Sequence, residues 1–250
     1  MNPSCIVHAD DFGLSPEVNQ GVLEGLISGV ITDTSILVDA PWAEEAARLL
    51  MGFGSTHAGI HLNLDELFGW SSPGRERISR DELMSCFGRG EFLEACRSEA
   101  RRQIEQFLSL ELSPSHLDTH HHVHGFGAIF FLLLDLMKDY HIEAMRFSRQ
   151  GYRLLTRDAI PYDRLLYELM EASLREHGIV FCDTVLEGVD ALARIGPGTT
   201  ELIVHPAKGG DVWRERELDI LLSPTFAELL RERQVHLTNY RELTLSAGTR

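Results

Sequence analysis

Five of the chain's 12 histidines fall within ten residues, in the run Ser115-His116-Leu117-Asp118-Thr119-His120-His121-His122-Val123-His124. Imidazole is the commonest protein metal ligand and the side chain best suited to proton transfer near neutral pH. The run lies inside the chain between apolar segments, so a terminal affinity tag does not explain it. A His-rich polar loop is the plain alternative. Two further clusters weigh against it. Ile6-Val7-His8-Ala9-Asp10-Asp11-Phe12-Gly13 places two adjacent carboxylates after a short apolar strand. Adjacent residues of a regular strand point to opposite faces, so a turn helped by Gly13 is needed to bring both carboxylates to one site. In Thr56-His57-Ala58-Gly59-Ile60-His61-Leu62-Asn63-Leu64-Asp65, apolar Ile60, Leu62 and Leu64 alternate with His61, Asn63 and Asp65, the pattern of a strand with one polar side. Later, the apolar run Leu202-Ile203-Val204 leads straight into His205-Pro206. Carboxylates and imidazoles at the ends of several strands are how a metal-ligand set is assembled from distant sequence.

The elements that must position these residues alternate. Strands are predicted at residues 5–9, 34–38, 58–62, 115–119, 143–147, 179–182, 200–204 and 235–238. Helices are predicted at 16–28, 42–51, 91–110, 128–140, 162–177, 189–194 and 225–233. Ser15 and Pro16 read as the cap and first residue of a helix, and residues 91–110 carry the apolar spacing of an amphipathic one. Strict βα alternation implies an α/β fold with a mostly parallel sheet, here a single (β/α) barrel over residues 1–250, with a doubly wound open sheet as the alternative. In either, functional groups gather at the C-terminal strand ends. Residues 67–79, with Trp70, and 208–217, with Trp213, read either as surface loops whose Trp packs locally or as loops over the mouth of the site. If residues 120–124 are helical, His120 and His124 share a face and His61 moves out of the ligand set.

Composition narrows the partners. A hydrophobic content of 44% and a net charge of −15 describe a globular chain with no basic surface for nucleic acid or an anionic membrane. A neutral substrate suits it better than a polyanion. The four cysteines are scattered with no C-x-x-C pair, which excludes a zinc ribbon or a thioredoxin-type motif. No signal peptide is read at the N-terminus, and residues 128–134 are too short to span a bilayer. A reduced, cytoplasmic setting is expected.

The stretches HADDFGLSPEVNQGV, GVITDTSILVDAPWAEEA, GIHLNL, PSHLDTHHHVHGF and TELIVHPAKGG together resemble the YdjC-like (ChbG-type) carbohydrate deacetylases, along most of the chain. The resemblance implies a single irregular (β/α) barrel of the polysaccharide deacetylase type. It also implies metal-dependent removal of an acetyl group from an N-acetylated sugar such as N-acetylglucosamine or a chitooligosaccharide. Carried over by position, Asp11, His61 and His120 would hold one divalent ion, Mg2+ or Zn2+. Asp10 would be the general base and His205 the general acid. Arg146 would steady Asp10 or the substrate, and Asp118 would orient a ligand. A homodimer is implied by the resemblance alone. Two departures stand out. His8 occupies a position where asparagine is usual, and the late motif reads His-Pro-Ala-Lys-Gly-Gly. A metal-dependent phosphoesterase and a non-catalytic sugar- or metal-binding protein are the competing readings. Retention of Asp10 and His205 beside the ligand set argues against the second.

Overall fold

A computed structural model describes residues 3–69, 85–149 and 163–248. Loop residues from Trp70 to Ser79, and Tyr162 at the predicted start of a helix, lie outside them. β1 (Ser4–Phe12) is buried on both faces, as a central parallel strand covered by helices must be. One edge of β1 pairs with β6 (Thr199–Val204) over six residues. The other edge is shared. β7 (His236–Leu237) takes Ser4 and Cys5, and β2 (Asp33–Ile36) takes over from His8. β3 (His57–Leu62), β4 (Ser113–Thr119) and β5 (Thr184–Glu187) complete a parallel sheet of order β4-β3-β2-β1-β6-β5.

The sheet curls towards closure. β4 bridges to Met145, and Ala144 bridges to Val180. The chain then runs from Val180 into β5 on the far side of the gap. The predicted strands at 143–147 and 179–182 are thus reduced to single bridges, and β5 pairs with β6 from Thr184. The result is the expected irregular α/β barrel, with the gap spanned by one segment that touches both sides.

Helices cover the outside: α1 (Pro16–Ser28), α2 (Ala43–Phe53), α3 (Asp65–Phe68), α4 (Gly90–Ser109), α5 (Gly127–Asp139), α6 (Arg164–Glu176), α7 (Val212–Leu221), α8 (Pro224–Glu232) and α9 (Tyr240–Ala247). α1 begins as its sequence dictates. The Ser15 side chain accepts from the Val18 amide, Pro16 takes a position that needs no donor, and Gly29 ends the helix at φ 76°. α7 corrects the loop reading of residues 208–217, because Asp211 starts a helix directly after Gly209 and Gly210. Residues 120–125 form a tight 3-10 turn broken at His121 and His122, both at positive φ, rather than an α-helical face.

Strand alternation sorts the interior into two layers. Val7, Ala9, Ile60, Leu62, Leu117, Leu202 and Val204 join the apolar core under the helices. His8, Asp10, His61, His116, Asp118 and Glu201, at the intervening strand positions, are buried and polar. They meet one another inside the barrel.

Candidate metal and catalytic centre

The two carboxylates of β1 reach one site because the strand is irregular there. Pairing with β2 shifts register between Ala9 and Phe12, and Asp11 adopts φ 65°. That left-handed conformation is uncommon for a residue with a side chain. It replaces the turn expected from the sequence and aims Asp11 beside Asp10 rather than opposite it.

Asp11 Oδ1 lies 3.5 Å from His61 Nε2 and 3.1 Å from His120 Nδ1. The three donor atoms fall within 4.8 Å of one another. Asp11 Oδ1 and His61 Nε2 are buried and make no hydrogen bond among the described residues. Two complementary buried atoms left this way are costly unless something sits between them. One carboxylate and two imidazoles, with His120 still 24% exposed, are the donor set and access of a catalytic divalent cation. The residues therefore fit such an ion. Among the described residues the other His/Asp groupings do not leave comparable atoms: in the one formed by Asp65, His120 and His121, His121 Nδ1 already meets Asp65 Oδ1 at 3.0 Å. Asp10, Asp118 and His8 all contact the Arg146 guanidinium, so a cation already fills that space.

Two of the three proposed ligands, His61 and Asp11, are held from behind. His61 Nδ1 contacts Asp118 Oδ1 at 2.8 Å, and Ser35 Oγ donates to Asp118 Oδ2 at 3.0 Å. Such a carboxylate fixes the tautomer and orientation of a metal-binding imidazole. Burial opposes a charged His61, yet Asp118 and Asp10 overcome it and hold its pKa well above the usual imidazole range. The same field attracts any cation. Asp11 Oδ2 accepts from Arg214 Nη2 at 2.6 Å, leaving only Oδ1 facing the imidazoles.

Asp10 is gripped by Arg146, which donates to Oδ2 at 2.9 Å and to Oδ1 at 2.6 Å. Arg146 is itself anchored by Glu201 at 2.8 Å, and Tyr240 donates to the second Glu201 oxygen at 2.6 Å. Arg146 has no exposed surface and holds Asp10 from inside the barrel. Burial alone would raise the Asp10 pKa. Arg146, His61 and His8 outweigh it and hold the carboxyl well below its usual range. His205 Nε2 stands 4.0 Å from Asp10 Oδ2, 17% exposed, with its backbone amide donating to Glu217 Oε2 at 2.7 Å.

His124 does not join this group. Its Nδ1 meets Thr119 Oγ1 at 2.6 Å, and the broken 3-10 turn removes the helical register that would have paired it with His120. His57 lines a surface hollow with Ser113 and Arg241, apart from the carboxylates. The Asn-to-His departure at His8 is absorbed inside the barrel, where Nδ1 contacts Asp10 and Nε2 contacts His116 Nε2, both at 2.9 Å.

Residues 4–232 match the family described as YdjC-like protein. The chain belongs to the YdjC-like family. A carbohydrate deacetylase of Geobacillus stearothermophilus is 33% identical, across 95% of this chain and 97% of its own. A chitooligosaccharide deacetylase of Citrobacter koseri is 28% identical, across 97% of this chain and all of its own. A crystal structure from Enterococcus faecalis V583 superposes with a TM-score of 0.74 at 23% identity, across 97% of this chain and 99% of that one. It shares the fold.

In this YdjC-like chain, sequence reasoning missed Arg214, Glu201 and Glu217. Glu201 carried a readable signal, a charged residue in an otherwise apolar strand at the inward-facing parity. Arg214 carried none, because its role depends on where α7 lands.

Proposed function

We propose that this protein is a metal-dependent deacetylase that releases acetate from an N-acetylated sugar or short oligosaccharide, of the N-acetylglucosamine or chitooligosaccharide type. The carrying observation is the pair of buried, unsatisfied atoms on Asp11 and His61, converging with His120 beside Asp10 and His205. Family membership and relatives that bear the names carbohydrate deacetylase and chitooligosaccharide deacetylase support the substrate class.

In this reading Asp11, His61 and His120 hold one divalent ion. When bound, the ion would supply a polarised acetyl carbonyl and a more acidic water. Asp10, kept ionised by Arg146, accepts the proton of the attacking water. His205, on the neighbouring strand end, delivers a proton to the sugar nitrogen as the C–N bond breaks, so that a neutral amine leaves rather than an anion. The mixed nitrogen and oxygen set suits Zn2+, while Mg2+ prefers oxygen alone.

The test is acetate release from N-acetylglucosamine and its oligomers, with metal content measured on the same sample and phosphate release from sugar phosphates run in parallel. Acetate release that vanishes on chelation and returns with metal supports the proposal. Phosphate release without acetate release would move the protein to the phosphoesterase class. Neither activity, in a metal-loaded sample, would leave it a binding protein.

A further inference from the structure

The proposed hydrolysis leaves one wall of the site unused. α7 follows the loop after His205, and its first turn presents Val212 and Trp213, 79% and 51% exposed. The indole centroid is 5.7 Å from that of the His205 imidazole. The Arg214 guanidinium lies over the indole at 4.6 Å and donates to Asp11 Oδ2. Trp213 is thus supported by a cation that is itself fixed to the proposed metal ligand, while half of its surface remains open. Arg214 is nearly buried, and its Nε and Nη1 make no hydrogen bond among the described residues. An indole that merely packed locally would bury itself against apolar neighbours. This one has an imidazole and a guanidinium for ring partners.

A pyranose has hydroxyls round its rim and C–H groups on its faces. An aromatic platform takes the face and leaves the hydroxyls to water, and Trp offers the largest such surface. The ring of a sugar whose nitrogen is within hydrogen-bonding reach of His205 can lie against the indole, 5.7 Å from the imidazole centroid to centroid. We propose that Trp213 is the stacking platform for the pyranose that carries the acetamido group. The inference rests on the deacetylase reading above for the identity of that sugar.

The experiment measures kcat and KM for N-acetylglucosamine oligomers with wild type, Trp213→Leu and Trp213→Phe. Metal content and thermal unfolding are followed for each, and binding of the deacetylated glucosamine oligomers is measured by calorimetry. Leucine keeps an apolar surface without the ring, and phenylalanine keeps an aromatic face. Trp213→Leu is expected to raise KM about tenfold, equivalent to about 1.4 kcal/mol, with kcat and metal content close to wild type. Trp213→Phe is expected to recover most of the loss, and glucosamine-oligomer binding is expected to weaken in parallel with KM. An unchanged KM and unchanged binding in Trp213→Leu would overturn the inference, as would a loss of kcat together with metal. A wild type that binds these sugars through Trp213 but releases no acetate would overturn the deacetylase reading and leave the platform standing.

Discussion

Asp10 is a weak proton acceptor for a residue assigned to accept one. Its grip by Arg146 guarantees the carboxylate at neutral pH but lowers its basicity, so the attacking water must be acidified by its surroundings. Asp10→Asn is expected to cut turnover by about 10²- to 10⁴-fold with metal content unchanged, as measured by acetate release and elemental analysis. Loss of the metal would make Asp10 a ligand instead. His205→Ala is expected to cost amide hydrolysis the same order but to spare an O-acetyl ester, whose alkoxide leaves more readily. Arg214 acts on the other carboxylate. Arg214→Met frees Asp11 Oδ2, and metal affinity in a chelator-competition titration is expected to fall by about 10- to 100-fold, with Arg214→Lys in between. Asp10, Asp11, His61, His120 and His205 could be nominated as candidates because each sits near the end of a strand whose pattern is local. Arg214 and Glu201 act through partners 203 and 55 residues away, and nothing local announces such a pairing.

Elements with strong local signals form where the sequence puts them. The cap of α1 and the apolar stripe of α4 settle those helices before any tertiary contact. The strands expected at 143–147 and 179–182 shrink to bridges because they lie where the barrel closes imperfectly, a global matter. α7 was hidden by the glycine pair before it. One close approach between elements was not legible either. A Cβ on Gly59 of β3 would lie 2.3 Å from the His116 ring of β4. That ring has no room to retreat, being stacked on Tyr240 at 4.1 Å and bonded to His8. Gly59→Ala is expected to destabilise the fold by about 1–3 kcal/mol in urea denaturation. The turn after β4 supplies a pH test. Burial pushes the His124 pKa down to about 3, whereas an unfolded imidazole titrates near about 6.5. Between those values the unfolded chain binds a proton the folded chain refuses, so this group removes stability as pH falls. Relative to His124→Gln, wild type is expected to lose up to about 1.4 kcal/mol per pH unit across that window, read from denaturation curves at pH 7 and pH 5.

At the scale of the whole molecule, the excess of 38 acidic over 23 basic residues sets a repulsive field for anions. A neutral N-acetylated sugar does not feel it. Its kcat/KM is expected to change less than about twofold between low and high salt, whereas an anionic analogue should gain as salt screens the field. A neutral substrate with a strong salt dependence would contradict that picture. Among the described residues no helix is long and apolar enough to cross a membrane.

The shared edge of β1 also governs the order in which the molecule can be finished. Synthesis delivers β1 first among the described strands, yet its partners β6 and β7 are the last two. Until β6 and α7 have left the ribosome, Asp10 has no His205 beside it, Arg146 has no Glu201, and Asp11 has no Arg214. A nascent chain can bury β1 against β2 and set Arg146 against Asp10, but it carries Asp11 without its Arg214 counter-charge. On the proposed function, metal capture therefore belongs with final barrel closure, in the last moments of biosynthesis. Ribosome-bound chains arrested before residue 199 should bind no metal tightly, and those arrested well beyond α7 should.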